Sequence, residues 1–258
     1  MPINLPHWDD LPLERPPVQE VIFQVRFAPL LSIAERLPTA FQEALRRRFP
    51  LFGVRQPLQA SPGTTTIPLP QAIPAEFDLK TPDEKTWASL AINFVALTTR
   101  EYSNWRVFRN DLALVLTAFE DVYKTALATR VGLRFVNLLD KDTTGLDTAE
   151  KLVSLLRREL TCLLRTPYWS APEQAAITLL LEDGVERLSL RMGYQRKQEP
   201  GVILDFDYFI ELEPPEERGR EELLNLVDAF HSRVYDAFRW CIRESKLRVF
   251  KPRAEGER

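Results

Sequence analysis

Residues 204–213 alternate with one exception, Phe209. Leu204, Phe206, Tyr208, Ile210 and Leu212 fall on one side, and Asp205, Asp207, Phe209, Glu211 and Glu213 on the other. Successive side chains of a strand point to opposite faces, so the pattern predicts a strand with one face on a core and one toward water. Upstream, 185–195 carries the complement, with Leu188, Leu190, Met192 and Tyr194 set against Arg187, Ser189, Arg191 and Gln195. Residues 175–182 precede it, and Asp183-Gly184 between the two runs signals a hairpin with a type I′ turn. Residues 130–138 predict a further strand, followed by a helix capped at Asp140. Apolar spacing of three and four predicts helices over 148–164, preceded by Asp147, and over 216–246, with Leu223, Val227, Phe230, Val234, Phe238 and Cys241 as its buried stripe.

The first half follows the same order less clearly. Val21, Phe23, Val25 and Phe27 alternate with Gln24 and Arg26 in a strand over 18–27. Ser32 with Glu35 has the spacing of a capping box, and Pro38 suits the first turn of a restarted helix that ends near Phe49-Pro50. Proline-rich 56–74 predicts a loop with at most one short edge strand. Strands over 76–80 and 86–99 follow, joined by a turn at Pro82-Asp83-Glu84. A helix capped by Ser103 or Asn104 then carries Trp105, Phe108, Leu112, Val115, Phe119, Val122 and Ala126 on one stripe.

Three echoes link the halves. Val25-Arg26-Phe27 recurs as Leu133-Arg134-Phe135, Ile92-Asn93-Phe94 as Leu204-Asp205-Phe206, and Ala118-Phe119 as Ala229-Phe230. They predict an α+β protein of two related β-α-β-β(-β)-α halves, forming a largely antiparallel sheet with helices on one face. The boundaries are an extended arm over 1–17, half-repeats over 18–128 and 129–250 within one domain, and a tail over 251–258.

Composition narrows the classes. A net charge of −3 argues against holding nucleic acid by overall charge. Cys162 and Cys241 form no disulfide framework and no metal-ligand spacing, and both fall in apolar helical patterns that predict buried free thiols. The N-terminus lacks a signal pattern and no apolar run is long enough to span a bilayer, so a cytoplasmic protein without a membrane partner is expected. No glycine-rich phosphate loop or nucleophile elbow is present. Arg46-Arg47-Arg48 and Arg157-Arg158 fall in predicted C-terminal halves of helices, where they complement the helix dipole. His7 and His231 have no ligand spacing.

The chemistry then rests on the polar sheet face. Opposite charges on adjacent strands give modest mutual support in a solvated face, about 0.2–1 kcal/mol per pair. The functional reading makes Arg26, Arg134, Arg187 and Arg191, with Trp8 of the arm, candidates for binding a protein or small ligand, without a cofactor. An alternative makes Asp205, Asp207 and Glu211 the catalytic carboxylates of a Mg²⁺-dependent hydrolase or nuclease. A third sets a duplicated saddle on nucleic acid, which the near balance of arginines and acids disfavours. Exposed sheet edges leave room for a homo-oligomer. Trp105 and Trp169 are further candidates at partner-facing edges.

Four stretches carry a family resemblance: Pro16-Pro17-Val18-Gln19-Glu20-Val21 with Arg26-Phe27; Leu97-Thr98-Thr99-Arg100-Glu101-Tyr102 with Trp105 and Phe108; Leu133-Arg134-Phe135-Val136-Asn137; and Leu204-Asp205-Phe206-Asp207. Together they resemble a prokaryotic family of about this length, without assigned activity and sporadically distributed in bacteria and archaea. The chain departs from it at Leu138-Leu139, where a more polar pair is expected. The resemblance implies no catalytic residue; its sporadic distribution is the pattern of mobile or defence-linked genes.

Overall fold

A computed structural model describes residues 3–9, 11, 13–55, 76–124, 127–168 and 170–251. The chain is α+β. Among the described residues, nine strands form an antiparallel sheet in the order β2-β3-β4-β5-β1-β6-β9-β8-β7. These are β1 (Val18–Phe27), β2 (Leu51–Arg55), β3 (Glu76–Lys80), β4 (Thr86–Ala91), β5 (Phe94–Thr99), β6 (Leu127–Leu139), β7 (Gln174–Asp183), β8 (Glu186–Gln195) and β9 (Gly201–Glu217). The helices are α1 (Leu31–Glu35), α2 (Thr39–Leu45), α3 (Trp105–Tyr123), α4 (Lys141–Thr144), α5 (Ala149–Val153), α6 (Arg158–Thr161) and α7 (Arg220–Cys241), with 3₁₀ turns at Cys162–Leu164 and Glu244–Phe250. Contacts divide the chain into two compact units. The N-terminal unit holds Ile22–Val131 and Leu212–Leu224; the C-terminal unit holds Met1–Val21, Gly132–Glu211 and Asn225–Arg258.

In the N-terminal unit, Phe23, Val25 and Phe27 are buried as their alternation requires, and Phe27 packs on Phe119 of α3 at 5.1 Å between ring centroids. Such a pair contributes about 0.5–1.5 kcal/mol beyond its burial. Asn104 caps α3 through the Val107 N–H at 3.0 Å. Ser32 caps nothing: it lies inside α1, whose N-cap is Leu30, and α2 starts after Pro38 as its N-cap. The predicted strand over 86–99 is two strands. β4 and β5 pair antiparallel, and Ile92-Asn93 forms the turn between Ala91 and Phe94. An uncharged run without Gly or Pro hid that turn. β2 was also missed, because it follows directly on the helix expected to end at Phe49-Pro50. The predicted loop over 56–74, and Ala126, lie outside the described residues.

In the C-terminal unit, Tyr208 of β9 packs on Phe230 of α7 at 5.1 Å, and Phe135 of β6 on His231 at 5.9 Å. Asp140 forms the anticipated cap of α4, with a capping box to Thr143. The helix expected over 148–164 is broken. Leu152, Val153, Leu155 and Leu156 are all buried, and Leu156 makes an antiparallel bridge to Ile242 instead of continuing the helix. Arg157 and Arg158 consequently stand at the start of α6, so no helix C-terminus explains them. The hairpin of β7 and β8 closes at Asp183 and Glu186, with positive φ at Gly184 and not at Val185. That is a II′-like turn rather than the expected I′ turn. Cys241 is buried, and desolvation pushes its thiol pKa up. Cys162 is exposed, against expectation, at the start of the 3₁₀ turn Cys162–Leu164.

The halves agree in part. Each runs from a strand through short helices to an antiparallel set of strands and a long helix, but β2 to β5 number four where β7 to β9 number three. One echo dissolves: Ile92-Asn93 is a turn, whereas Leu204-Asp205 lies within β9.

Candidate functional site

Strand register in the C-terminal unit sets the polar face out as a grid. Ala176, Gly193 and Ile203 align across β7, β8 and β9; then Thr178, Arg191 and Asp205; then Leu180, Ser189 and Asp207; then Glu182, Arg187 and Phe209. These positions alternate with the buried Leu188, Leu190, Met192, Leu204, Phe206 and Tyr208, so the same periodicity that builds the core also builds the grid.

The centre of the grid is Asp205, only 6% exposed although it points away from the core row. Two guanidiniums cover it. Arg134 of β6 donates from Nε to Oδ1 at 2.7 Å and from Nη2 to Oδ2 at 2.8 Å, a bidentate fork. Arg191 of β8 donates from Nη1 to Oδ2 at 3.2 Å. The Asp205 hydrogen bonds, reinforced by the charges of Asp205, Asp207 and Glu20, raise the Arg134 pKa further. A second cluster joins Arg187 to Glu211 and to Glu182, the latter at 3.3 Å. The apolar members stand in the open: Leu180 is 57% and Ile203 45% exposed. Gly193 beside Ile203 gives it only a shallow neighbour.

Arg134 and Arg191 therefore meet at Asp205, and Arg187 meets Glu211, with Asp207 between the two clusters. Arg26 belongs to the N-terminal unit, where its Nε donates to Gln24 at 2.9 Å. Trp8 is half-buried in an intramolecular seam. Its backbone N–H donates to Asp236 Oδ1 at 2.9 Å, and the Arg239 guanidinium lies 5.5 Å from its ring centroid. His7 Nδ1 sits 3.2 Å from the other Asp236 oxygen. Trp105 stacks on Phe108, and Trp169 lies outside the described residues.

Two polar features escaped the sequence reading, both in the N-terminal unit. Asp78 of β3 is 3% exposed; it takes a bidentate fork from Arg55 (Nε at 2.6 Å, Nη2 at 2.8 Å) and a hydrogen bond from the Ser89 hydroxyl at 2.7 Å. The available signal was a lone acid between Phe77 and Leu79. A cleft of about 270 Å³ also opens beside the start of α3, among Thr81, Thr86, Thr99, Tyr102 and the Arg48–Asp111 pair. Its polar atoms largely satisfy one another: Thr86 and Thr99 hydroxyls lie 2.8 Å apart, and Arg48 forks onto Asp111 at 2.9 and 2.8 Å.

Chemically, Asp205 is committed. Both its oxygens accept from Arg134, so Mg²⁺ would have to displace a fork before binding there. Among the described residues, no group of three or more His, Cys, Asp or Glu side chains is placed to hold a metal ion. Also among them, no helix is long and apolar enough to cross a membrane. Neither protein-family models nor curated proteins give a match to the chain.

Proposed function

We propose that this is a non-catalytic binding protein whose partner, another protein, docks on the polar grid of the C-terminal unit. The observation that carries this reading is the setting of exposed Ile203 and Leu180 among guanidiniums already fixed by Asp205 and Glu211. Apolar side chains supply contact area, and arginines held in place supply orientation at little further entropic cost. A sheet surface suits a macromolecule, whereas small molecules favour concave sites. On the same reading the halves descend from one duplicated unit, and the chain is a cytoplasmic accessory protein of the sporadically distributed family it resembles.

The test compares partners co-purified from native lysate by wild type and by Leu180→Ser/Ile203→Asp, with quantitative mass spectrometry. Both substitutions are at exposed positions, so the fold is expected to persist by circular dichroism. A partner retained by wild type and lost by the variant supports the proposal. The same partners at the same abundance would overturn it, as would Mg²⁺-dependent turnover abolished in a folded Asp205→Asn/Asp207→Asn variant.

A further inference from the structure

Arg157 and Arg158 lie where no helix terminus calls for positive charge, and the fold brings a third arginine to them. The bridge between Leu156 and Ile242 is extended by two backbone hydrogen bonds, from the Arg157 N–H to the Cys241 carbonyl at 3.0 Å and from the Arg243 N–H to the Leu155 carbonyl at 2.8 Å. This antiparallel clasp within the C-terminal unit sets Arg157 and Arg158 beside Arg243 around a cleft of about 400 Å³, completed by Glu159, Glu244 and Ser245. Arg157 is anchored: its Nε donates to the Trp240 carbonyl, and its guanidinium lies 5.9 Å from the Trp240 ring centroid. Glu244 is drawn off, since its carboxylate oxygens accept from Arg239 at 3.2 and 3.0 Å. Three guanidiniums thus share the cleft with one other carboxylate, Glu159.

Gathering like charges is costly unless a counter-charge arrives. The neighbouring Arg165 is tied to the Val153 carbonyl at 2.6 Å. Burial, then the charges of Arg243 and Arg158, hold its pKa below the usual arginine value. Guanidinium forks match the oxygens of a phosphoryl group, and the cleft has the volume of a small-ligand site.

We propose that the cleft between Arg157, Arg158 and Arg243 binds the phosphoryl group of a phosphorylated small molecule. Arg157 is the fixed member, and Arg158 and Arg243 close on the anion. The positive charge is confined between Glu159 and Glu244, whereas a nucleic acid strand needs cations spaced along its backbone.

The probe is pyrophosphate, titrated into the full chain at low ionic strength while intrinsic tryptophan fluorescence and calorimetry are followed. Saturable binding by wild type is expected, weakened about tenfold or more in Arg158→Gln/Arg243→Gln and partly restored by Arg243→Lys in place of Arg243→Gln. If the double variant fails to fold, Arg158→Gln alone, at an exposed side chain, should still weaken binding severalfold. No saturable binding at millimolar pyrophosphate would overturn the proposal. So would equal binding by wild type and the folded variants, or retention of a short single-stranded oligonucleotide through these arginines without pyrophosphate binding.

Discussion

Two buried aspartates, one in each unit, solve the same problem with opposite charge balance. Asp78 and Asp205 both sit on strands, both are nearly inaccessible, and both take a bidentate arginine fork. Around Asp78 one guanidinium serves two acids, because Arg55 also pairs with Glu76, and the Ser89 hydroxyl completes the set. Around Asp205 two guanidiniums serve one buried acid. A buried carboxylate must be paired to be tolerated. The surplus partner then decides what else the cluster can do. The N-terminal unit shares one guanidinium between two acids, whereas, on the proposed reading, the surplus guanidinium beside Asp205 is the donor a partner would use.

The comparison breaks most readily at the two acids. Asp205→Ala frees two arginines whose side chains are 37% and 47% exposed, and this solvent access lowers the cost below that of a fully buried pair, to about 2–3 kcal/mol. Asp78→Ala should cost less, about 1–2 kcal/mol, since Arg55 loses its fork but keeps Glu76, while the Ser89 hydroxyl loses its carboxylate. Urea denaturation of both variants checks the order; a larger loss for Asp78→Ala would reverse the comparison. Within the Asp205 cluster, Arg134→Gln removes the fork and should cost more than Arg191→Gln, which removes one longer contact and should stay below about 1 kcal/mol. Equal costs would mean that the two guanidiniums are interchangeable.

The smallest effect is a pH dependence. Glu76 has its pKa raised because burial outweighs the attraction of Arg55, so the fold favours its protonated form. Between the ordinary glutamate value and the raised one, the folded chain binds more protons than the unfolded chain. The contribution of Glu76 is therefore greatest at acid pH and falls as pH rises through the raised pKa. Glu76→Gln removes that slope, so the stability of the variant relative to wild type should improve from acid to neutral pH. Thermal melts across that range read it, and a gap that widens against the variant would show that Arg55 wins instead.

Strict alternation made β8, β9 and the core rows legible, and with them the grid of Arg187, Arg191, Asp205 and Glu211. Asp183-Gly184 located the hairpin, although Gly184 rather than Asp183 occupies the first turn position. What could not be read depended on contacts distant in sequence. The fork from Arg134 to Asp205 spans 71 residues, so the sequence offered both side chains as surface candidates without pairing them. The bridge of Leu156 to Ile242 breaks a helix that local spacing favoured, and it gives Arg157 and Arg158 their setting. Trp8 looked free because its partners, Asp236 and Arg239, lie more than two hundred residues away in the chain.

The most direct measurement is partner retention by Asp205→Asn and Asp78→Asn, each folded at reduced temperature and matched for residual stability, against the partner that Leu180→Ser/Ile203→Asp loses. Asp205→Asn is predicted to release that partner, because Arg134 and Arg191 lose the carboxylate that aims them, while Asp78→Asn keeps it. Equal retention by both variants, or equal loss in step with stability, would contradict the account.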